Sequence, residues 1–202
     1  MKLYYAPGAC SLSPHIVIEE AGLSAQLKKV DLATSQIEGG GDYLLINSKG
    51  YVPALELDDG SILTEGPAIV QYLADRKPDS GLMPAAGTIE RYRVQEWLNF
   101  ISSEIHKSFS PLFNPHAAAE WKAGTIDNLR NRLAWLDRTI AGKTYLMGEP
   151  FTVADAYLFT VLNWSGLVGL DLTPWPALRA YLERVRSRPK VQAALRAEGL
   201  TG

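Results

Sequence analysis

Apolar and polar positions along the first eighty residues predict strands and helices in turn. The β-prone run at residues 2–5 meets a Pro-Gly pair, and an apolar stretch at 14–21 then ends at Gly22. Proline at the start of a helix and glycine just beyond its end are common boundary signals. We therefore predict a strand, a turn and a helix with Ser13 as its N-cap.

The same alternation continues through the following fifty residues. Two strand-like runs flank an Asp-Gly turn, which predicts an antiparallel hairpin. The predicted elements are a strand at 27–32, a short helix near 42–47, strands at 52–57 and 61–64, and a helix at 65–76. This order predicts one mixed sheet with helices, and hence an α/β domain over residues 1–77.

Prolines and glycines interrupt any periodic pattern at residues 78–87, and we interpret this stretch as a linker. Beyond it apolar positions recur only at helical spacing, so residues 88–202 are predicted to form an all-helical domain. Pro111 is expected to break its first helix, and Thr152 and Asp155 have the spacing of a capping box. The predicted helices cover 88–109, 117–141, 152–168, 175–187 and 189–197.

The composition argues against several functions but does not change the predicted fold. Hydrophobic residues make up 47% and charged residues 21% of the chain, as in ordinary globular proteins. The net charge is −2 and no run of lysines or arginines forms a basic patch, so we expect no nucleic-acid partner. No apolar run approaches the roughly 18 residues of a membrane span, and no signal-peptide core follows Met1. We expect a cytoplasmic protein.

The chain has one cysteine, Cys10, just ahead of the first predicted helix. A single cysteine forms neither an internal disulfide nor a paired-cysteine metal site, so we expect a reducing compartment and no metal. Backbone N–H groups and the dipole at a helix N-terminus lower the pKa of a thiol, which makes Cys10 a candidate for thiol chemistry. The alternative is a small buried side chain with an inert sulfur.

Three motifs stand out: Val52-Pro53-Ala54-Leu55, Thr64-Glu65-Gly66-Pro67-Ala68-Ile69 and Phe151-Thr152-Val153-Ala154-Asp155-Ala156. Together with the domain order, they resemble the cytosolic glutathione transferases along essentially the whole chain, although relatives often have Glu-Ser in place of Glu-Gly in the second motif. Cys10 and His106 extend this resemblance to the bacterial beta class. It implies a thioredoxin-like N-terminal domain with a cis peptide bond in the first motif, and a C-terminal helical domain.

Two of these motifs also have a physical interpretation as binding elements. A sharp bend at Pro53 would leave the N–H and C=O of Val52 beside the cysteine, where a peptide could pair as an added strand does. Glu65 and Gly66 open a predicted helix whose unpaired N–H groups attract a carboxylate. With glutathione, these N–H groups would bind the γ-glutamyl carboxylate and the Glu65 side chain its ammonium. The alternatives are a structural proline and an ordinary acidic residue of a first helical turn.

Asn99, Ser103 and His106 share one face of the predicted helix at 88–109. At about 100° per residue they lie within about 60° of one another, away from the apolar core stripe. They are uncharged hydrogen-bonding groups, whereas exposed helix faces usually have Lys and Glu; the alternative is an ordinary solvent-exposed face. The core stripe consists of Val94, Trp97, Leu98, Ile101 and Ile105.

The resemblance, transferred residue by residue, implies a glutathione site with Cys10 and His106 as its catalytic residues. Its binding residues are Cys10, Val52, Pro53, Glu65, Gly66, Asn99, Ser103, Glu104 and His106. Supporting candidates are Tyr5 and Ser11 near the sulfur, and Ser35, where relatives have a lysine for the glycine carboxylate. That end of the peptide would be held more weakly, or else by Lys107 or a partner subunit. The electrophile pocket is expected at Phe109, Phe113, Trp164 and Leu167.

The implied function is a transferase that binds glutathione, its co-substrate, between two domains and joins the sulfur to a largely apolar electrophile in detoxification. A homodimer follows from the same resemblance. One alternative is thiol–disulfide exchange, because Cys10-Ser11-Leu12-Ser13 has the CxxS pattern of monothiol glutaredoxins. The other alternative is a protein without catalytic activity that binds apolar ligands.

Overall fold

The computed structural model describes residues 1–200, whose contacts divide the chain into two compact units. The first unit comprises residues 1–83 and the C-terminal segment from residue 187 on, and the second comprises residues 84–186. The sequence predicts the last helix as part of the helical domain, and the structure differs on this point. The apolar side of that helix is buried, and the helix contacts the first helix of the chain.

The first unit contains a mixed five-stranded sheet, which confirms the predicted α/β order. The elements are β1 (Lys2–Tyr5), α1 (Leu12–Ala21), β2 (Gln26–Asp31), β3 (Gln36–Ile37), a 3₁₀ turn (Tyr43–Leu45), β4 (Ala54–Glu56), β5 (Ile62–Thr64), α2 (Gly66–Asp75) and a second 3₁₀ turn (Pro78–Ser80). The strands lie in the order β3-β2-β1-β4-β5; β1 and β2 are parallel, and the other neighbouring pairs are antiparallel. The short strand β3 is not predicted by the sequence pattern.

Strand β1 lies at the centre of this sheet and is buried on both faces. Leu3 is opposite Leu27 of β2 and Leu55 of β4, and its side chain is fully buried. Tyr4 points to the other face, where it packs in a cluster with Tyr43. Because a one-residue slip would exchange the two buried faces, the register of β1 is fixed. The loop after β1 therefore starts from a rigid point.

Helix α1 begins two residues earlier than predicted. Ser11 occupies the N-cap position, and Ser13 lies inside the first turn, where its hydroxyl donates to the Cys10 carbonyl at 3.0 Å. The prediction of Ser13 as N-cap is therefore wrong, because its hydroxyl is used within the turn. Gly22 ends the helix in the left-handed region with φ 64°, as predicted.

The second unit is helical throughout its regular structure, as predicted. Its elements are α3 (Ile89–Phe100), a π-helical segment (Ile101–His106), α4 (Lys107–Phe113), α5 (Ala119–Ile140), α6 (Val153–Leu162), α7 (Trp164–Leu167) and α8 (Pro176–Arg186). The C-terminal helix α9 (Pro189–Ala197) belongs to the first unit. The predicted break at Pro111 is wrong, because α4 contains this proline and ends two residues beyond it.

The predicted core stripe of the second unit is buried except at Trp97. The Trp97 ring is half-buried and packs 6.0 Å from Phe100 and 5.9 Å from Trp135, between ring centroids. The partial burial arises because this side chain covers the gap between α3 and α5 rather than the centre of the bundle. Among residues 1–200, no helix has the length and apolar character needed to cross a membrane.

Candidate functional site

The loop after β1 is closed by its own backbone and by Ser11. The Ala9 N–H donates to the Ala6 carbonyl at 3.1 Å, and the Leu12 N–H donates to the Ala9 carbonyl at 3.0 Å. The buried Ser11 hydroxyl accepts the Ala6 N–H at 3.1 Å and lies 3.2 Å from the Ala6 carbonyl, to which it donates. Ser11 thus fixes the shape of the loop that positions Cys10.

The thiol of Cys10 is a hydrogen-bond donor in this structure. Its Sγ lies 3.0 Å from the carbonyl oxygen of Val52. Burial raises the pKa of the Cys10 thiol to about 11, the N–H groups of Cys10 and Ser11 act in the opposite direction, and the nearby Glu65 charge adds to the rise. The predicted lowering of this pKa is therefore wrong, because desolvation of the thiolate outweighs the helix N-terminus.

The bond between Val52 and Pro53 is cis, as the resemblance implies. Both residues are buried, and the preceding carbonyl of Tyr51 accepts hydrogen bonds from the Tyr43 hydroxyl and the Asn47 side-chain amide, each at 2.7 Å. Among residues 1–200, the backbone N–H of Val52 has no hydrogen-bond partner. The N–H and the C=O of Val52 are therefore both placed beside Cys10, where an extended peptide can pair with them as an added strand does.

Glu65 and Gly66 lie next to this bend. Glu65 is the N-cap residue of α2 and has φ 70°, a conformation that few residues other than glycine adopt. Its carbonyl accepts the N–H groups of Ala68 and Ile69, each at 3.0 Å. A Cβ atom at Gly66 would lie 3.9 Å from the Pro53 ring, so the start of α2 and the cis proline are neighbours.

The Glu65 carboxylate is exposed and forms an ion pair with a lysine. The Nζ of Lys49 donates to Glu65 Oε1 at 2.6 Å and to Thr64 Oγ1 at 2.9 Å. The first unit thus brings together five of the predicted binding residues, namely Cys10, Val52, Pro53, Glu65 and Gly66. The Lys49 contact is not predicted from the sequence, since no local spacing links residue 49 to residue 65.

A second unpredicted group holds the same loop from the opposite end of the chain. The buried Glu198, just after α9, accepts the Gly8 N–H at 2.9 Å through Oε2 and contacts the His15 ring nitrogen Nδ1 at 2.8 Å through Oε1. Tyr5 is buried nearby, its ring 6.2 Å from that of His15, and burial followed by the Glu198 charge raises its pKa. The loop is thus pinned on both sides of Cys10.

Ser35 lies in the turn between β2 and β3 and has φ 57°. Its carbonyl accepts the Tyr43 N–H at 2.8 Å. Residues on either side of it line an open cavity of about 580 Å³, together with Lys29 and Glu38, whose charged groups are 3.9 Å apart. A lysine thus borders the cavity beside this turn.

In the second unit, His106 ends the π-helical segment and is half-buried. Its Nδ1 lies 2.5 Å from the hydroxyl of the buried Tyr157, and its ring packs edge-on against Trp164 with centroids 4.9 Å apart. The contact of Nδ1 with Tyr157 orients the imidazole ring. Tyr157 gives no signal in the sequence beyond its place in an apolar helix.

The other polar candidates of this helix are exposed or paired. Asn99 and Ser103 are exposed, and the Ser103 hydroxyl donates to the Asn99 carbonyl at 3.0 Å. Glu104 pairs with Arg132 of α5 at 2.8 Å, and Lys107 is exposed. The prediction that Asn99, Ser103 and His106 share one helix face assumed a rotation of about 100° per residue, as in an α-helix. The π-helical hydrogen bonds, between residues five apart, change that rotation over 101–106.

Three of the four predicted electrophile-pocket residues form one aromatic cluster. Phe109, Phe113 and Trp164 pack with ring centroids 5.6 to 6.3 Å apart, and Trp164 continues the cluster to His106. Leu167, on α7, is 75% exposed. Phe109 and Trp164 are buried and Phe113 is 46% exposed, so Phe113 is the ring of this cluster that reaches the surface, and Trp164 joins the cluster to the His106 imidazole.

Family models match most of both units. The model for "Glutathione S-transferase, N-terminal domain" matches residues 8–76, and the model for "Glutathione S-transferase, C-terminal domain" matches residues 119–184. The chain is 48% identical over 200 residues to the glutathione S-transferase GstA of Escherichia coli O157:H7, covering 99% of this chain and all of the relative.

Solved structures of glutathione S-transferases also match this chain over its whole length. BphK, a bacterial glutathione S-transferase in a ternary complex, is 58% identical with a TM-score of 0.97, covering 99% of this chain and 100% of its own. A sphingomonad glutathione S-transferase complexed with glutathione and the beta-class enzyme of Sphingomonas chungbukensis each show 49% identity and a TM-score of 0.96, covering all of both chains.

Proposed function

The chain belongs to the glutathione S-transferase family, which conjugates glutathione to electrophiles, and we propose that its own electrophiles are small and largely apolar. In this proposal the first unit binds glutathione and the helical unit binds the electrophile. The observation that carries it is the arrangement of Cys10, the cis Val52–Pro53 bond and the Glu65–Gly66 helix start in one unit. The glutathione complex of the sphingomonad relative supports glutathione as the co-substrate.

The cysteinyl and γ-glutamyl parts of glutathione have matching groups in the first unit. The cysteinyl backbone would pair with the N–H and C=O of Val52, because a carbonyl oxygen accepts two hydrogen bonds and the Cys10 thiol uses at most one of these sites. The γ-glutamyl carboxylate would bind N–H groups at the start of α2, and its ammonium would bind the Glu65 carboxylate. The tripeptide would thus lie along the bend at Pro53 with its sulfur near Cys10.

Cys10 would act on the glutathione sulfur as a hydrogen-bond donor. With a pKa of about 11, its thiol is almost entirely protonated near pH 7, so it is a poor nucleophile. Its single S–H, which donates to the Val52 carbonyl in this structure, would turn to the glutathione sulfur when the ligand binds. A hydrogen bond to the glutathione thiolate favours that charged form and lowers the pKa of the bound thiol. Thiol–disulfide exchange would instead need a Cys10 thiolate, and the chain has no second cysteine to resolve a mixed disulfide.

Two assays on the wild type and Cys10→Ala separate these chemistries. We expect the wild type to conjugate an aryl halide and the variant to retain the reaction at a rate lower by about tenfold, since one hydrogen bond to a charged sulfur is lost. Reduction of hydroxyethyl disulfide should be slow in both. Disulfide reduction that dominates and disappears in the variant would favour the exchange mechanism, and activity in neither assay would favour a binding protein.

His106 and the aromatic cluster are the proposed contribution of the helical unit. A neutral imidazole accepts a proton from a thiol, and its cation stabilises a thiolate, so His106 would assist formation of the glutathione thiolate. Phe109, Phe113 and Trp164 would form the electrophile pocket, with the partly exposed Phe113 in contact with an apolar or aromatic electrophile and the buried rings of Phe109 and Trp164 packed behind it. Leu167, the exposed last residue of α7, would also contribute.

The remaining predicted contacts are retained as part of this proposal. Asn99, Ser103 and Glu104 would bind glutathione, with Tyr5 and Ser11 supporting the sulfur and Ser35 or Lys107 the glycine end. We propose a homodimeric, cytoplasmic enzyme of bacterial detoxification, by analogy with the bacterial relatives. Light scattering after size exclusion would test the dimer, and a monomer at micromolar concentration would contradict it.

A further inference from the structure

Lys49 lies in a loop whose backbone is held by buried groups. The side-chain oxygen of the buried Asn47 accepts the Lys49 N–H at 3.2 Å, and its amide donates to the Tyr51 carbonyl at 2.7 Å. The hydroxyl of the buried Tyr43 donates to the same carbonyl at 2.7 Å. The loop continues directly into Val52, so the same contacts fix the Lys49 backbone and the proposed peptide-binding residue.

From this fixed loop the Lys49 side chain reaches the start of α2. Its ammonium donates to Glu65 Oε1 at 2.6 Å and to Thr64 Oγ1 at 2.9 Å, and these two acceptors are consecutive residues at the junction of β5 and α2. Two acceptors define the direction of approach better than one. The position of the ammonium, and with it that of Glu65 Oε1, is therefore set by the protein.

The Glu65 carboxylate needs such a constraint. Its side chain is 71% exposed, and a flexible exposed side chain loses rotamer freedom when it binds a ligand, which weakens binding. A carboxylate offers about four acceptor sites, of which Lys49 uses one, so a second ammonium can bind to the same group. An ordered carboxylate with remaining acceptor capacity suits the γ-glutamyl ammonium.

We propose that Lys49 is a positioning residue for glutathione binding, which acts by holding the Glu65 carboxylate in the orientation that receives the γ-glutamyl ammonium. This inference rests on the proposed role of Glu65 in binding glutathione. In the opposite role, the Lys49 ammonium would compete with the γ-glutamyl ammonium for the Glu65 carboxylate. The two cations would repel each other, and removal of Lys49 would then tighten glutathione binding. A third possibility is an exposed ion pair without effect, as many surface pairs are.

Calorimetric titration with glutathione distinguishes these roles. We expect Lys49→Met to raise the Kd for glutathione about fivefold, to raise KM similarly and to leave kcat nearly unchanged, since the carboxylate is already bound before the chemical step. Lys49→Arg, which keeps a cation that donates to both acceptors, should restore most of the affinity. For a glutathione analogue without the γ-glutamyl amino group, the wild type and Lys49→Met should bind equally.

Lys190→Met is the matched control. Lys190 also pairs with a glutamate in the first unit, Glu19, at 3.9 Å and is similarly exposed, so its loss should leave the Kd for glutathione unchanged. An unchanged or lower Kd in Lys49→Met overturns the inference, and so does an equal loss of affinity for the analogue. Failure of the proposed function appears separately, as a wild type that does not bind glutathione at all.

Discussion

Each unit contains a buried carboxylate, and the two are used in different ways. In the helical unit, Asp155 accepts the N–H groups of Thr152 at 2.8 Å and Leu146 at 2.9 Å, and the Tyr181 hydroxyl at 3.0 Å. In the first unit, Glu198 accepts the Gly8 N–H and contacts His15. Asp155 joins elements that surround the start of α6, whereas Glu198 joins the C-terminal segment to the loop of Cys10.

Because of this difference, we expect the two carboxylates to have different effects on stability and on glutathione binding. The partners of Asp155 include none of the candidate site residues, so its hydrogen bonds should affect folding alone. The partners of Glu198 are Gly8, two positions before Cys10 in the loop, and His15 of α1, the helix against which α9 packs. We therefore expect Glu198 to affect both the free energy of unfolding and glutathione binding.

The largest effect is expected for Asp155→Ala. It removes the carboxylate that accepts two backbone N–H groups and the buried hydroxyls of Thr152 and Tyr181, which should lower the free energy of unfolding by about 3 kcal/mol or more. Denaturant titration measures this loss, and kcat/KM per folded molecule should not change. Asp171→Ala is a control, since this exposed carboxylate bonds to Thr173, two residues further along the chain. A large loss of turnover with normal stability would remove the distinction between the two carboxylates.

Glu198→Ala should have a smaller effect on stability and a distinct effect on the site. Loss of the Glu198 contacts with the Gly8 N–H and the His15 ring should cost about 2 kcal/mol of unfolding free energy, and a looser Cys10 loop should raise KM for glutathione several-fold. Steady-state kinetics and thermal melting measure the two effects.

Glu20→Ala is the matched control for this variant. Glu20 also joins α1 to the C-terminal segment, through two contacts with Arg188 at 2.6 and 2.8 Å, but it does not contact the Cys10 loop. Its loss should lower stability and leave KM unchanged. Equal changes in KM for the two variants would show that attachment of the C-terminal segment, rather than the loop contact, affects the site.

The same two carboxylates show what the sequence can predict. Asp155 is recognisable because Thr152 lies three residues away and a capping box is a local pattern. Glu198 and His15 are 183 residues apart, and no periodicity or motif connects them. The order of strands and helices in the first unit is likewise encoded locally, and it brings residue 10, the bend at Pro53 and the start of α2 together.

Two predictions at the site were wrong or incomplete for physical reasons. The local sequence places Cys10 before a helix, which lowers a thiol's pKa, but burial depends on the packed structure and has the larger effect. Apolar spacing along residues 88–109 cannot distinguish an α-helix from the π-helical turn at 101–106, so the rotation of His106 about the helix was not predictable. The contact between Lys49 and Glu65 depends on the loop geometry around Asn47.

The central claim is that the reacting sulfur belongs to glutathione and that Cys10 remains a protonated donor. Ultraviolet thiolate absorbance near pH 7 tests this directly, in the wild type and in Cys10→Ala, each with and without glutathione. We expect no thiolate signal from the wild type alone, since the pKa of Cys10 is about 11, and a signal in both proteins when glutathione is added, weaker in the variant. A thiolate signal in the wild type without glutathione, absent from Cys10→Ala, would contradict the claim.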